Sequence, residues 1–421
     1  MNLKSIYNKI EFYNFSIILV STFPLLGLKK TVFAIAIFVF FSIYIFIAER
    51  TYRNLNRQDL KNILVFSSYY IALILYYIFS SDKQISLKLL EQNASFIIFP
   101  IFLIINKSVV SKSTLNRSLN VFVITNVVLA IYVWSNIYSY GIVRSFEENT
   151  YYKPVLRFFF SRLSGMHLPY LGMLFVFSCL ILFNQLLKRE RGSLLKKIFK
   201  SFVLLFLLIS VFTFAARQAL IIFFIISFFI IIFKSKTIQK KILILTSTIL
   251  ISIPLFYLPS VKIRIDEMKQ TKLVLPAKGQ KSDEVNFRYG IYNCTFRLIK
   301  QNWLSGVGPE NVQKKLDECY SSYTYESYDD FRHKTYNTHN QFFDILLKFG
   351  IFGIFGFILY IFWGIKNNLE YYYIFISLCI LSMLTENILN RQVGIVFFNF
   401  FNCLFFVEYL NRKRDIKFNL D

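Results

Sequence analysis

Apolar residues recur in this chain in runs long enough to cross a membrane, and no soluble core could bury all of them. The runs fall near residues 10–28, 31–48, 62–80, 93–106, 119–138, 168–187, 201–216, 218–233, 242–258, 343–364, 371–385 and 395–411. A spanning helix needs about 20 apolar residues, so the pattern predicts an all-α polytopic membrane protein with about twelve spans, some short or tilted. The bulk composition agrees. The 421 residues are 55% hydrophobic and 19% aromatic, with mean hydropathy +0.49, against roughly 45–50% apolar residues in soluble domains.

A net charge of +24 could suggest nucleic acid, but the basic residues gather in short clusters between apolar runs, so no nucleic-acid partner is expected. Lys188, Arg189, Arg191, Lys196, Lys197 and Lys200 form one cluster, Lys234, Lys236, Lys240 and Lys241 a second, and Arg412, Lys413, Arg414 and Lys417 a third. Each faces the cytoplasm under the positive-inside rule. The first apolar run is followed by Lys29-Lys30 and a second run rather than a small-residue cleavage site, so the amino terminus is expected to be retained. With both termini inside, the cytoplasmic connections hold the larger share of Lys and Arg. The division that follows is residues 1–258 as spans one to nine, 259–341 as a large outer loop with interfacial helices, and 342–421 as spans ten to twelve. Arg162, His167, Arg217, the whole loop, Glu386 and Arg391 then share the outer face.

Within the loop, Phe287, Ile291, Cys294 and Leu298 keep helical spacing, and Tyr289, Tyr292, Phe296, Ile299 and Trp303 make a second apolar stripe. Arg288 and Arg297 project from that helix in roughly opposite directions, because nine residues at about 100° each end half a turn out of phase. Gly306-Val307-Gly308-Pro309 reads as a tight turn and lacks the strand and acidic residue of a dinucleotide fingerprint. Of the five cysteines, Cys179, Cys379 and Cys403 lie in apolar runs as packing residues. Cys294 and Cys319 lie in the polar loop, where a disulfide can form if the loop is outside the cytoplasm.

His339 stands just before an apolar run, at the expected outer boundary. Imidazole, with an unperturbed pKa near 6.5, can accept a proton from an attacking hydroxyl; the alternative is a histidine that caps the helix with Asn337 or Thr338. Arg217 interrupts an apolar stretch, either as a functional cation or as a turn residue reaching headgroups. A guanidinium binds phosphate oxygens in a bidentate fork, so Arg217 and Arg288 together suit a pyrophosphate; for Arg288 alone, a surface salt bridge is the alternative. Glu386 and Arg391 could form an ion pair that fixes the last outer hairpin, or Arg391 could be a second anion contact. Asp329-Asp330 lacks the D-x-D spacing of a metal-bound nucleotide sugar, and no ligand cluster suggests a metal.

The order of these features resembles the O-antigen ligase and polymerase superfamily. The resembling residues are Phe214-Ala215-Ala216-Arg217, Asn286-Phe287-Arg288-Tyr289, Trp303 to Gly308, Thr338-His339-Asn340-Gln341 leading to Lys348-Phe349-Gly350-Ile351-Phe352-Gly353, and the tail from Thr385-Glu386-Asn387 to Phe398. The likeness is specific over about the carboxy-terminal half. It implies a twelve-span enzyme of the GT-C type in the bacterial inner membrane, with its active site facing the periplasm and neither a metal nor another cofactor. The implied donor is a glycan on undecaprenyl pyrophosphate, held by Arg217 and Arg288, with His339 assisting the acceptor hydroxyl. Asn340, Arg391, His167 and Arg162 are the further candidate substrate contacts. This chain has Ala216 where the family often shows a hydroxyl residue. A lipid A-core acceptor would make a ligase, a growing glycan a polymerase, and a protein Ser or Thr an oligosaccharyltransferase; the His-Asn segment and the closing hairpin look closest to the ligase branch. A lipid-linked saccharide transporter is the non-enzymatic alternative, but transporters usually show two related halves and no internal repeat is visible.

Overall fold

The computed structural model describes residues 3–80, 82–150, 153–188, 193–234, 284–322, 335–365 and 369–418, with isolated positions between 237 and 265. Most of the expected span at 242–258, the pair Asp329-Asp330, and Arg189, Arg191, Lys236 and Lys240 lie outside the described residues. Among the described residues every regular element is a helix and no strand occurs.

Eight helices among these residues are long and apolar enough to cross a membrane: Lys29–Ala48, Arg57–Phe79, Lys83–Ile105, Thr114–Tyr140, Leu168–Leu187, Arg217–Lys234, Gln341–Ile365 and Gln392–Arg414. Three other apolar runs form helices that fall short of that standard. α1 (Leu3–Val20) contains Lys4, Lys9 and Glu11, α10 (Leu194–Thr213) opens with Lys196, Lys197 and Lys200, and α15 (Glu370–Met383) has 14 residues. The remaining helices are α2 (Phe23–Ala48), α3 (Arg57–Phe79), α4 (Lys83–Asn93), α5 (Ser95–Ile105), α6 (Thr114–Tyr140), α7 (Ile142–Glu147), α8 (Val155–Ser164), α9 (Leu168–Leu187), α11 (Arg217–Lys234), α12 (Glu284–Asn302), α13 (Val312–Tyr320), α14 (Gln341–Ile365) and α16 (Gln392–Phe418).

The chain forms two compact units, one of Met1–Phe41, Ser111–Asp266 and Tyr373–Ser382, the other of Ser42–Val110, Glu267–Tyr372 and Met383–Asp421. In the first unit α9 is the central helix, 78% buried, with α6, α8, α10 and α11 against it. Gly172 permits a close approach, since a Cβ there would stand 2.9 Å from the Cβ atoms of both Ala216 and Ala219. Amides buried in a bundle need partners, and the Asn126 amide of α6 donates to Ser178 of α9 at 3.0 Å.

In the second unit α16 packs on α5, and α3 packs on α4, α5 and α14. A capping box starts α3: the Asn56 side chain accepts from the Asp59 amide at 2.9 Å, and the Asp59 carboxylate accepts from the Asn56 amide at 3.0 Å. Phe66, Phe96, Tyr360 and Phe398 interlock across α3, α5, α14 and α16. The run expected as one continuous helix from 343 to 364 is broken at Gly350 (φ +66°). The break leaves the Leu347 carbonyl without a helical partner, and the turn after α12 supplies one: the Val307 amide donates to it at 2.7 Å, while the Ile351 amide donates to the Trp303 carbonyl at 2.9 Å. Backbone at membrane depth must be satisfied inside the protein, which gives the Gly306 turn a structural role.

α12 and α13 form a small subdomain. Ile291, Leu298, Val312, Leu316 and Tyr320 bury one shared face against Leu347, and Cys294 and Cys319 are joined in a disulfide. The expected stripes appear as drawn, with Ile291 and Leu298 buried and Tyr289, Phe296 and Trp303 exposed.

Candidate active site

The second unit brings Arg288 and His339 together around one carboxylate. His339 closes the segment that enters α14, and its backbone is left-handed, with φ +46°. That conformation is uncommon outside glycine, asparagine, aspartate and histidine and costs about 1–3 kcal/mol, the kind of strain found at functional sites. Its neighbours hold it there. Asn337 accepts from the His339 amide at 3.0 Å, Thr338 donates to the Asn340 carbonyl at 2.9 Å, and the Tyr292 hydroxyl donates to the His339 carbonyl at 3.4 Å. Asn340 is the cap of α14: its side-chain oxygen accepts from the amides of Phe342 and Phe343 at 3.0 and 3.1 Å, and its amide donates to the Leu384 carbonyl at 2.9 Å. The capping role weighed for His339 therefore belongs to Asn340.

Glu386, 5% exposed, is the group on which the site converges. One of its oxygens is 3.3 Å from His339 Nδ1, and the other is 3.6 Å from a terminal nitrogen of Arg288. The first distance lies in ion-pair range, but the angle is not that of a hydrogen bond, so Nδ1 has no hydrogen-bond partner in this geometry. A carboxylate beside Nδ1 favours the tautomer that keeps the proton there and leaves Nε2 as the acceptor. Burial pushes the Tyr292 phenol above its ordinary value, and Arg288 opposes that shift, so the phenol remains a neutral donor.

Glu386 therefore pairs with residues far away in sequence and not with Arg391. Arg391 is exposed, and no ion pair joins it to Glu386 among the described residues. The hairpin is fixed by amides instead: Asn387 donates to Thr338 at 2.9 Å, the Leu389 amide donates to Gln341 at 2.8 Å, and Gln92 donates to the Asn390 carbonyl at 2.6 Å. Arg288 and Arg297 diverge on α12 as their spacing requires, with Arg297 exposed.

Arg217, Arg162 and His167 belong to the first unit. Arg217 is the first residue of α11, where the helix N-terminus adds partial positive charge to the guanidinium. The turn before it is strained at Ala215 (φ +49°). Arg157, a residue without any sequence signal, stabilises this turn by donating to the carbonyls of Phe214 and Ala215 at 2.9 and 3.3 Å. A cation at the end of α10 is also where the helix dipole favours one. Arg162 lies over the Phe158 ring at 5.4 Å, and the His167 ring meets the Tyr170 ring edge-on at 6.3 Å. Both are exposed.

Among the described residues no three of His, Cys, Asp and Glu gather as a metal ion would require. The Glu386–His339–Arg288 cluster can accept a proton and hold an anion beside it. No curated protein matches the chain. The O-antigen ligase family model matches residues 201–358, a stretch that holds Arg217, Arg288 and His339.

Proposed function

We propose that the protein is a ligase-type glycosyltransferase that moves a glycan from undecaprenyl pyrophosphate to a lipid A-core hydroxyl at the periplasmic face of the inner membrane. The observation that carries this reading is the meeting of His339 and Arg288, both within the stretch that matches the family, at the buried Glu386 carboxylate beyond it, 3.3 and 3.6 Å away. The Cys294–Cys319 disulfide supports an outer location for α12 and α13, because such bonds persist in oxidising compartments.

In this mechanism the acceptor hydroxyl gives its proton to Nε2 of His339 as its oxygen attacks the anomeric carbon. The bond from that carbon to the diphosphate oxygen breaks, and the electron pair leaves with undecaprenyl pyrophosphate. Glu386 stabilises the imidazolium that forms. Arg288 offers its remaining N–H groups to the diphosphate; a charge-assisted hydrogen bond of this kind contributes about 1.5–3 kcal/mol, and more where water is excluded. Arg217 has the same role on sequence resemblance and chemistry alone. Asn340 serves the site through the helix cap.

Cells that depend on this protein and carry His339→Ala or Arg288→Ala, with protein levels verified, should lose surface glycan and accumulate long lipid-linked polymer. Accumulation of single lipid-linked repeat units would instead identify a polymerase. Normal surface glycan in both variants would refute the site.

A further inference from the structure

A second charged cluster lies on the first half of α14, a helix apolar enough to span a membrane, and the chemistry above does not use it. Asp344 and Lys348 face each other one helical turn apart at 2.6 Å, with side chains 2% and 8% exposed. Ionised groups within a span are costly and usually serve a function. This pair also does more than neutralise itself. Lys348 donates to the side-chain oxygen of Asn390 at 2.8 Å, and the Asn390 amide donates to Asp344 at 3.2 Å. Asn390 thus bridges both charges. Its own carbonyl accepts from Gln92 of α4 at 2.6 Å.

Asn390 is four residues from Glu386 on the same hairpin, and its neighbours Leu389 and Asn387 are tied to Gln341 and Thr338. The other end of this half-helix is held as well: α14 breaks at Gly350, two residues past Lys348, and the Val307 amide binds the Leu347 carbonyl. The segment from His339 to Phe349 is therefore a short bracket clamped at both ends, and the hairpin that carries Glu386 hangs from its inner face. We propose that the Asp344–Lys348 pair, acting through Asn390, is a positioning device that holds the Glu386 hairpin at the height where its carboxylate meets His339 and Arg288. Neither charge touches substrate. This inference rests on the catalytic reading above only for its effect on turnover.

The test compares the wild-type protein in detergent with Asp344→Leu/Lys348→Met, an apolar pair of similar volume. Replacing a buried ion pair in this way is often neutral or stabilising, whereas breaking it on one side leaves a buried charge unpaired. The double variant should fold, keep its KM for the lipid-linked donor, and lose about 10–100-fold in kcat, as expected for misplacement of reacting groups by roughly 1 Å. Amide hydrogen exchange over residues 386–391 should quicken while α16 stays protected. A folded double variant with wild-type kcat and unchanged exchange in the hairpin would overturn the proposal. A variant too unstable to purify is replaced by Asn390→Ala, which removes only the hairpin's side of the contacts and must give the same two readings. Faster hairpin exchange together with full activity in His339→Ala would retain the positioning role and reject the catalytic one.

Discussion

Removing the Cys294–Cys319 disulfide is predicted to loosen the α12–α13 subdomain selectively. The bond closes a loop with a sequence separation of 25. Chain entropy for a loop of that length corresponds to about 3.5 kcal/mol at 25 °C. Cys294 is fully buried among Ile291, Leu298 and Leu316, so Cys294→Ala/Cys319→Ala is the appropriate change, because a serine would bury a hydroxyl. Loss of sulfur packing acts in the same direction. At 1.36 kcal/mol per tenfold, amide protection across residues 291–320 should fall by about 300–400-fold, read by hydrogen exchange in detergent. Protection in α9 should stay unchanged. Transfer activity should fall as well, since Arg288 is anchored by the same helix. Protection of 291–320 within about fivefold of wild type, with the bond verified in the wild-type protein by mass, would refute the entropic argument.

Three further outcomes follow from single contacts. Gly350→Ala places a Cβ 2.1 Å from the Leu304 carbonyl in a left-handed conformation; it should cost more than the roughly 1–3 kcal/mol of backbone strain alone and lower the melting temperature measurably. Arg157→Met removes the donor to the carbonyls of Phe214 and Ala215, a loss of about 1.5–3 kcal/mol, and should speed amide exchange at 214–217 while leaving 291–320 untouched. Glu148 is held down to about 2, from an ordinary 4.5, by hydrogen bonds from Arg144, then Lys153 and Tyr140. Its contribution is complete above its ordinary value and lost as pH falls toward 2, so α7 exchange should rise over that window in the wild type and show no such step in Glu148→Gln.

The membrane class, the two faces of α12 and the chemical character of His339 and Arg288 were legible because each rests on local periodicity or on a rare residue in an apolar background. Partnerships were not. Glu386 reads naturally with Arg391, five residues away, yet its partners are 47 and 98 positions earlier in the chain, and nothing local signals them. Lys348 lies inside a run whose apolar average hides one ion pair, and Gly350 looks like an ordinary helical glycine until the Leu304 backbone is beside it. Eight of the expected spans stand as long apolar helices among the described residues, while a basic first turn, as in α10, or short length, as in α15, keeps other apolar runs below that standard. Arg157 carried no pattern at all; only the fold shows that it supports the turn before Arg217.

The central claim is that His339 and Glu386 act as one catalytic unit, and a double-mutant cycle on glycan transfer tests it directly. Transfer from purified undecaprenyl-pyrophosphate-linked glycan in detergent is measured for wild type, His339→Ala, Glu386→Gln and the double variant, all verified as folded. Groups that work through each other are strongly non-additive, so the double variant should be no slower than His339→Ala alone. Losses that multiply, or a His339→Ala protein that transfers glycan at the wild-type rate, would contradict the account.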